Sequence, residues 1–285
     1  MKNILDKENR TLRKSFSALA EKTFGISFEE WYRNGYWGDN YLPYCFSEGG
    51  RVISAAAANI MTLNLNGECR KYIQIGTVMT DEAYRGRGLS RRLLNEIICD
   101  WKENCSGIYL FANSSVLDFY PRFGFAPEEE FVYSTSTAPL SGDFRRMDML
   151  SAADRGILRD CYARSNPFSA LAFKNNFGLL MFYCSSFLKN CVYFSERFDA
   201  AAIAEYEGRN LICHDIFGGE KAKLKDILNA LANETSERAV LGFAPKSPQG
   251  FDITSLESDD YLFVLKGGND PLCGRRLRLP SLSHA

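Results

Sequence analysis

Between residues 72 and 101 the chain passes from an apolar strand pattern into an amphipathic helix, and the joint reads Arg85-Gly86-Arg87-Gly88-Leu89-Ser90. A helix N-terminus exposes unpaired backbone N–H groups and about half a positive charge. Glycines let an oxyanion approach the main chain closely, and Arg85 and Arg87 add fixed positive charge beside it. The joint therefore predicts an anion site, best suited to a diphosphate. A dinucleotide fingerprint needs a third glycine at position 91, where Arg91 stands, and a P-loop needs Gly-Lys-Ser/Thr where the chain has Gly88-Leu89-Ser90. Both alternatives fail. The net charge is −1, so no basic excess points to nucleic acid and any anion site is local.

The surrounding pattern places this joint in a mixed α/β chain. A helical stripe from Leu12 to Phe24 stops at Gly25, and Ser27-Phe28-Glu29-Glu30 resembles a second helix start. Tyr41–Phe46, Arg51–Leu65 and Lys71–Thr80 are expected as an antiparallel meander, with an Asn66-Gly67 pair in the second turn. Leu89–Trp101 is the amphipathic helix, Ile108–Ala112 a buried parallel strand, Val116–Tyr120 a short helix and Phe131–Thr137 a strand. Small polar residues with Pro139 and Gly142 mark a boundary within 134–143.

The second half restarts with strand Phe144–Leu150 and a helix opened by the capping residue Ser151. Strands are expected at Leu179–Cys184, Cys191–Glu196, Ala200–Glu207, Asn210–Phe217, Ala239–Ala244 and Tyr261–Leu265, with a helix at Lys221–Leu231. The order strand, glycine turn, helix, strand thus occurs twice, which predicts a tandem of two similarly folded units, 1–140 and 141–285.

Composition narrows the chemistry. The longest apolar run, Phe177 to Leu188, is too short to span a bilayer, and the N-terminus lacks an apolar signal core, so a cytoplasmic protein with no membrane partner is expected. The nine cysteines form no C-x-x-C pair, which favours reduced thiols over disulfides or a metal site. The two histidines, His214 and His284, both lie in the second half. A catalytic centre confined to the first half cannot use a histidine.

The glycine-arginine turn resembles the pyrophosphate loop of the GNAT acetyltransferase superfamily, Arg/Gln-x-x-Gly-x-Gly/Ala, with Ser90 a mild departure at the last position. Downstream, Phe119-Tyr120-Pro121-Arg122-Phe123-Gly124-Phe125 resembles the Phe-Tyr-x-x-x-Gly-Phe segment of the same superfamily. The resemblance implies an α/β chain of two tandem GNAT-like acyl-CoA N-acyltransferase folds, the first catalytic and using acetyl-CoA as cosubstrate, without a metal. It implies that Arg85, Gly86, Arg87, Gly88, Leu89 and Ser90 hold the pyrophosphate. It further implies that the strand before them splays from its neighbour, so that the backbone of Val78, Met79 and Thr80 meets the pantetheine. Asn113 would either contact the cofactor or cap the following turn. Tyr120 would donate a hydrogen bond to the departing thiolate, or simply pack.

The general base stays open. Gln74 stands where some relatives place a Glu, and Glu29, Glu30, Asp39 or a water chain are alternatives. The tandem arrangement also resembles the Eis-like branch, whose terminal carboxylate reaches the first unit's site, although those enzymes carry a third domain with no counterpart here. Ala285 is therefore a candidate, provided that the tail docks through Leu279, Pro280 and Leu282 rather than fraying.

The second unit's turn, Phe217-Gly218-Gly219-Glu220-Lys221, has no arginine and a repelling Glu220, so this unit is expected to wall the acceptor pocket without binding CoA. Trp31, Tyr32, Tyr36 and Trp37 with Glu29, Glu30 and Asp39 form either an aromatic, acidic pocket for a cationic amine or ordinary core beside a solvated face. The expected activity is transfer of an acetyl group to a primary amine of a small molecule or peptide. A non-catalytic acyl-CoA sensor is the alternative.

Overall fold

The computed structural model describes residues 3–65, 67–140, 144–268, 272 and 274–285. Asn66 of the expected turn and residues 141–143 of the expected boundary lie outside them. Helices α1 (Arg10–Phe24) and α2 (Glu29–Arg33) precede the meander β1 (Tyr41–Glu48), β2 (Arg51–Leu65) and β3 (Glu68–Thr80). Then follow α3 (Leu89–Trp101), β4 (Gly107–Asn113), β5 (Phe125–Glu128) and β6 (Phe131–Ser136). The second half contains β7 (Arg145–Arg146), α4 (Ala152–Arg164), β8 (Leu171–Lys174), α5 (Phe177–Cys184), β9 (Val192–Ser195), β10 (Ala200–Glu207) and β11 (Asn210–Gly218). It closes with α6 (Leu224–Leu231), β12 (Arg238–Leu241), β13 (Asp252–Ser255) and β14 (Asp260–Leu265).

Side-chain size in β2 explains how the first sheet takes a helix on each face. Successive strand residues point to opposite faces. Ala55 and Ala57 join a core with Phe16 and Leu19 of α1, whereas Ala56 and Ala58 join one with Leu93, Leu94 and Ile97 of α3. Alanine at all four positions lets both helices lie close. Helix α1 starts where Asn9 Oδ1 accepts from Leu12 N and stops at Gly25, whose φ of 71° suits a residue without a Cβ.

The tandem repeat is present: β3 and β4 are parallel and joined through α3, and β11 and β12 are parallel and joined through α6. The two sheets do not part near residue 140, however. The first runs β1-β2-β3-β4-β14-β5, with β8 also on β2, and the second runs β13-β6-β12-β11-β10-β9-β7. Each half lends the other a strand: β14 fills the gap between β4 and β5, and β6 the gap between β13 and β12. One core joins Met61, Leu63 and Tyr109 of the first sheet to Ile203, Leu211 and Phe217 of the second.

Three local expectations are corrected. Leu179–Cys184 lies in helix α5, not in a strand. Asn176 Oδ1 caps it by accepting from Leu179 N, and it is buried on several sides, so it shows no polar face and no helical period. The strand expected over Phe144–Leu150 shrinks to the two residues of β7, and the short helix at Val116–Tyr120 is replaced by 3₁₀ turns at Ser114–Val116 and Tyr120–Phe123. Among the described residues no helix is long and apolar enough to cross a membrane.

Candidate active site

The β3–β4 ladder pairs Tyr72–Ile75 with Gly107–Leu110 and goes no further, although β3 runs on to Thr80 and β4 to Asn113. The strands therefore splay, and a cavity of about 1000 Å³ occupies the opening. On its other edge β3 is bulged. Ala55 pairs with Met79 and Ala57 with Gly76, which sets two residues, Thr77 and Val78, against Ala56. Thr77 has a φ of 50°, rare for a β-branched residue, and Tyr41 bonds its hydroxyl at 2.9 Å. A bulge at a splayed strand leaves backbone N–H and C=O groups outside the ladder. Val78, Met79 and Thr80 all line it.

At the end of β3 the glycine turn closes one side of the cavity. Gly86 and Gly88 have φ of 77° and 71°, and Gly88 as N-cap offers no side chain to the first N–H groups of α3. These groups remain free for an anion. Arg85 lines the cavity and donates from Nε to Thr80 O at 3.4 Å. Ser90 departs from the family pattern for a visible reason: its hydroxyl bonds Thr80 Oγ1 at 2.7 Å, and Thr80 Oγ1 bonds Ser54 Oγ at 2.8 Å, tying the strand end to the helix start.

Arg87 does not line the cavity. Its guanidinium lies 4.7 Å from the Tyr84 ring centroid and donates to Ala83 O at 3.1 Å. Arg91 takes a place in the wall, a cation that the sequence offered only as a missing glycine. Asn113 caps the following turn, its Oδ1 accepting from Ser115 N at 3.1 Å, and its side of the strand end also lines the cavity.

Tyr120 stands in the wall and is 6% exposed. Its ring packs on Phe119, Phe125 and Phe263, the last contributed by the exchanged strand β14. Burial pushes its phenol up to about 12. Among the described residues its hydroxyl has no hydrogen-bond partner.

The C-terminal tail docks. Leu277 O accepts from Phe131 N, Leu279 N donates to the buried carboxylate of Glu130 at 2.8 Å, and Arg278 Nη1 donates to Leu241 O. Ser281 N then donates to Gly242 O, while its hydroxyl sits 3.3 Å from His214 Nδ1. The tail thus crosses the end of the β11–β12 pair, where the second unit's own splay would lie. His284 stacks on Phe111, and Ala285 ends against Gly76, where any Cβ would collide with the Ala285 carbonyl oxygen. Leu279 and Leu282 are buried. His284 is itself lowered to about 3, by burial first and Arg278 second, and is neutral at pH 7.

The second unit's turn is filled from within. Arg164 packs on Gly218 and pairs with Asp199 and, at 3.6 Å, with Glu220. The acidic acceptor pocket does not form: Trp31 and Trp37 are core residues, Glu29 pairs with Arg13 at 3.2 Å, and Asp39 pairs with Lys7 at 2.8 Å. Tyr32 and Tyr36 are half-buried, and Phe28, Trp31 and Tyr41 of the core also reach the cavity.

The acetyltransferase (GNAT) domain family matches residues 5–127, which carry the splay, the glycine turn and Tyr120. These residues match that family's domain. Solved structures resemble nearly the whole chain. A conserved protein from Enterococcus faecalis aligns with a TM-score of 0.62 at 16% identity, covering 93% of this chain and 72% of its own. Eis1 from Mycobacterium abscessus aligns at 0.57 and 15%, covering 93% and 74%. A GCN5-related N-acetyltransferase from Kribbella flavida aligns at 0.54 and 14%, covering 89% and 69%. At these identities the likeness is one of fold, and the fold is two GNAT-like units in tandem. No curated protein matches the chain in sequence.

Proposed function

We propose that the chain transfers an acetyl group from acetyl-CoA to a primary amine within a ternary complex. The observation that carries this reading is that one cavity joins the open end of the β3–β4 splay, the glycine turn, Tyr120 and Ala285. The free N–H groups of α3 with Arg85 and Arg91 suit a diphosphate, and the bulged backbone from Thr77 to Thr80 suits an amide-bearing arm.

The chemistry asked of the residues is modest. As the amine nitrogen bonds to the thioester carbonyl carbon, the carbon–sulfur bond breaks, the acetyl group passes to nitrogen and the sulfur leaves as thiolate. Tyr120, held near 12, is a weaker acid than a thiol at about 8.5, so full proton transfer to sulfur is uphill. Its role is to donate a hydrogen bond to the developing negative charge. The α-carboxylate of Ala285, against Gly76, accepts the proton released by the nitrogen. Orienting the two reactants supplies the rest of the acceleration.

The test is release of CoA from acetyl-CoA over a panel of amines, by the chain ending at Ala285 and by a form extended by several residues after it. Turnover that the extension abolishes, with acetyl-CoA binding kept, supports the reading. Full turnover by the extended chain removes the carboxylate from the mechanism, and binding without turnover on any amine favours the sensor.

A further inference from the structure

The cavity has a wall built of aromatic rings drawn from both halves of the chain. Phe182 of α5 stacks on Phe28 with centroids 5.5 Å apart and meets Trp31 edge-on at 5.6 Å. It continues to Phe187 at 5.8 Å. Phe24 and Ile26, at the end of α1, complete the wall. Two of these rings are far from satisfied by protein: Phe187 is 61% exposed and Phe24 45% exposed, although both line the cavity. Large apolar side chains left open inside a concave site are the usual apolar part of a ligand pocket.

The charges of the same cavity point the same way. Among the described lining residues Asp260 is the one side-chain carboxylate, joined by the terminal carboxylate of Ala285. The remaining charged side chains are the cations Arg85 and Arg91 at the diphosphate end. Glu29 and Asp39, which could have served a polycation, are paired elsewhere. Two carboxylates can receive one ammonium group but not the several carried by a polyamine or an aminoglycoside.

We infer that the acceptor is a primary monoamine on an aromatic body, an arylalkylamine, whose ring lies against the Phe182–Phe187 wall. The inference rests on the transfer reading above. The amino group reaches toward Ala285 and the ring displaces water from the open faces of Phe24 and Phe187. A burial of this kind, and not charge, then selects the substrate.

The experiment compares CoA release from acetyl-CoA with 2-phenylethylamine, ethylamine, spermidine and an aminoglycoside, and repeats the first two with Phe187→Ala. Phe187 is mostly exposed, so its truncation spares the fold. We expect kcat/KM for 2-phenylethylamine to exceed that for ethylamine and spermidine at least tenfold, and Phe187→Ala to cut the phenylethylamine-to-ethylamine ratio about tenfold. Preference for spermidine or the aminoglycoside overturns the inference and leaves the transfer reading standing. Release with no amine, while acetyl-CoA still raises Tm, overturns both. An unchanged ratio in Phe187→Ala, together with weaker use of decanoyl-CoA, overturns the inference by assigning the wall to a long acyl chain.

Discussion

The imidazole of His284 lies on the ring of Phe111, centroids 3.6 Å apart and planes 24° from parallel. Tyr183 adds a second hold, donating its hydroxyl to His284 O at 2.6 Å. One contact comes from the first half and one from the second, and together they aim the last residue at the bulged strand β3.

Gly76 leaves room for that last residue. In Gly76→Ala the new methyl meets the Ala285 carbonyl within van der Waals distance, and backbone on either side must shift. Turnover should fall tenfold or more while acetyl-CoA affinity changes little, because the glycine turn is untouched. Steady-state kinetics paired with a binding titration checks this, and unchanged kcat would show that Ala285 takes no part.

Tyr120→Phe removes a hydroxyl but keeps the ring that packs on Phe263. Positioned hydrogen-bond donors are commonly worth about 10² in rate, so kcat should drop by roughly that factor with KM for acetyl-CoA preserved. Because the phenol titrates near 12, its ionisation should leave no break in the wild-type profile between pH 6 and 10. A basic limb near pH 10 that vanishes in the variant would contradict this environment.

The two arginines of the turn should behave differently. Arg85 lines the cavity and Arg87 lies over Tyr84. Loss of one charge-assisted hydrogen bond costs about 1.5–3 kcal/mol, so Arg85→Ala should weaken CoA binding tenfold or more. Arg87→Ala should weaken it less. Calorimetric titration of both variants with CoA decides the order.

Asp215 gives the fold a pH dependence. Burial pushes its carboxyl from 3.8 up to about 7, against the opposing hydrogen bonds from Asn166 Nδ2 and Ile216 N. Between those two values the folded protein holds a proton that the unfolded chain has released, so stability falls as pH rises from about 4 to 7 and is level above. Asp215→Asn should flatten this part of the Tm profile, although the raised carboxyl of Glu130 leaves a residual slope. Equal slopes in the two proteins would be evidence against the shift.

Neither half should fold alone. A chain of residues 1–140 lacks β14, which leaves β4 and β5 with no strand between them, and it carries β6 with no sheet to join. Open strand edges of this kind associate. Such a fragment should be insoluble or lack a cooperative melt in circular dichroism, and a soluble, cooperatively melting fragment would mean that the exchange is dispensable.

The elements around the glycine turn were legible because their signals are local. Hydrophobic period marked α1 and α3, the alternation of β2 and β3 marked the meander, and the glycines marked the turn between strand and helix. The elements that failed depend on partners distant in sequence. Helix α5 is apolar around its whole circumference because both halves cover it, so its period vanished. Nothing in Tyr261–Leu265 tells that its neighbours are β4 and β5 rather than a strand of its own half. The choice between an acidic acceptor pocket and ordinary core stayed open for a similar reason: Glu29 pairs with Arg13 and Asp39 with Lys7, partners that the sequence does not announce. The aromatic wall was hidden since Phe182 and Phe28 stand far apart in the chain.

The borrowed strand also sets an order of events during synthesis. The glycine turn, Tyr120 and the splay are all translated by residue 120, yet the sheet that holds them closes only when residues 260–265 have been made. Domains generally fold as they emerge, N-terminal first. Here the first unit must wait for almost the whole chain, so no ribosome-bound half-length chain presents a finished site, and a chain broken off midway is left open to proteolysis instead of surviving as a partial enzyme.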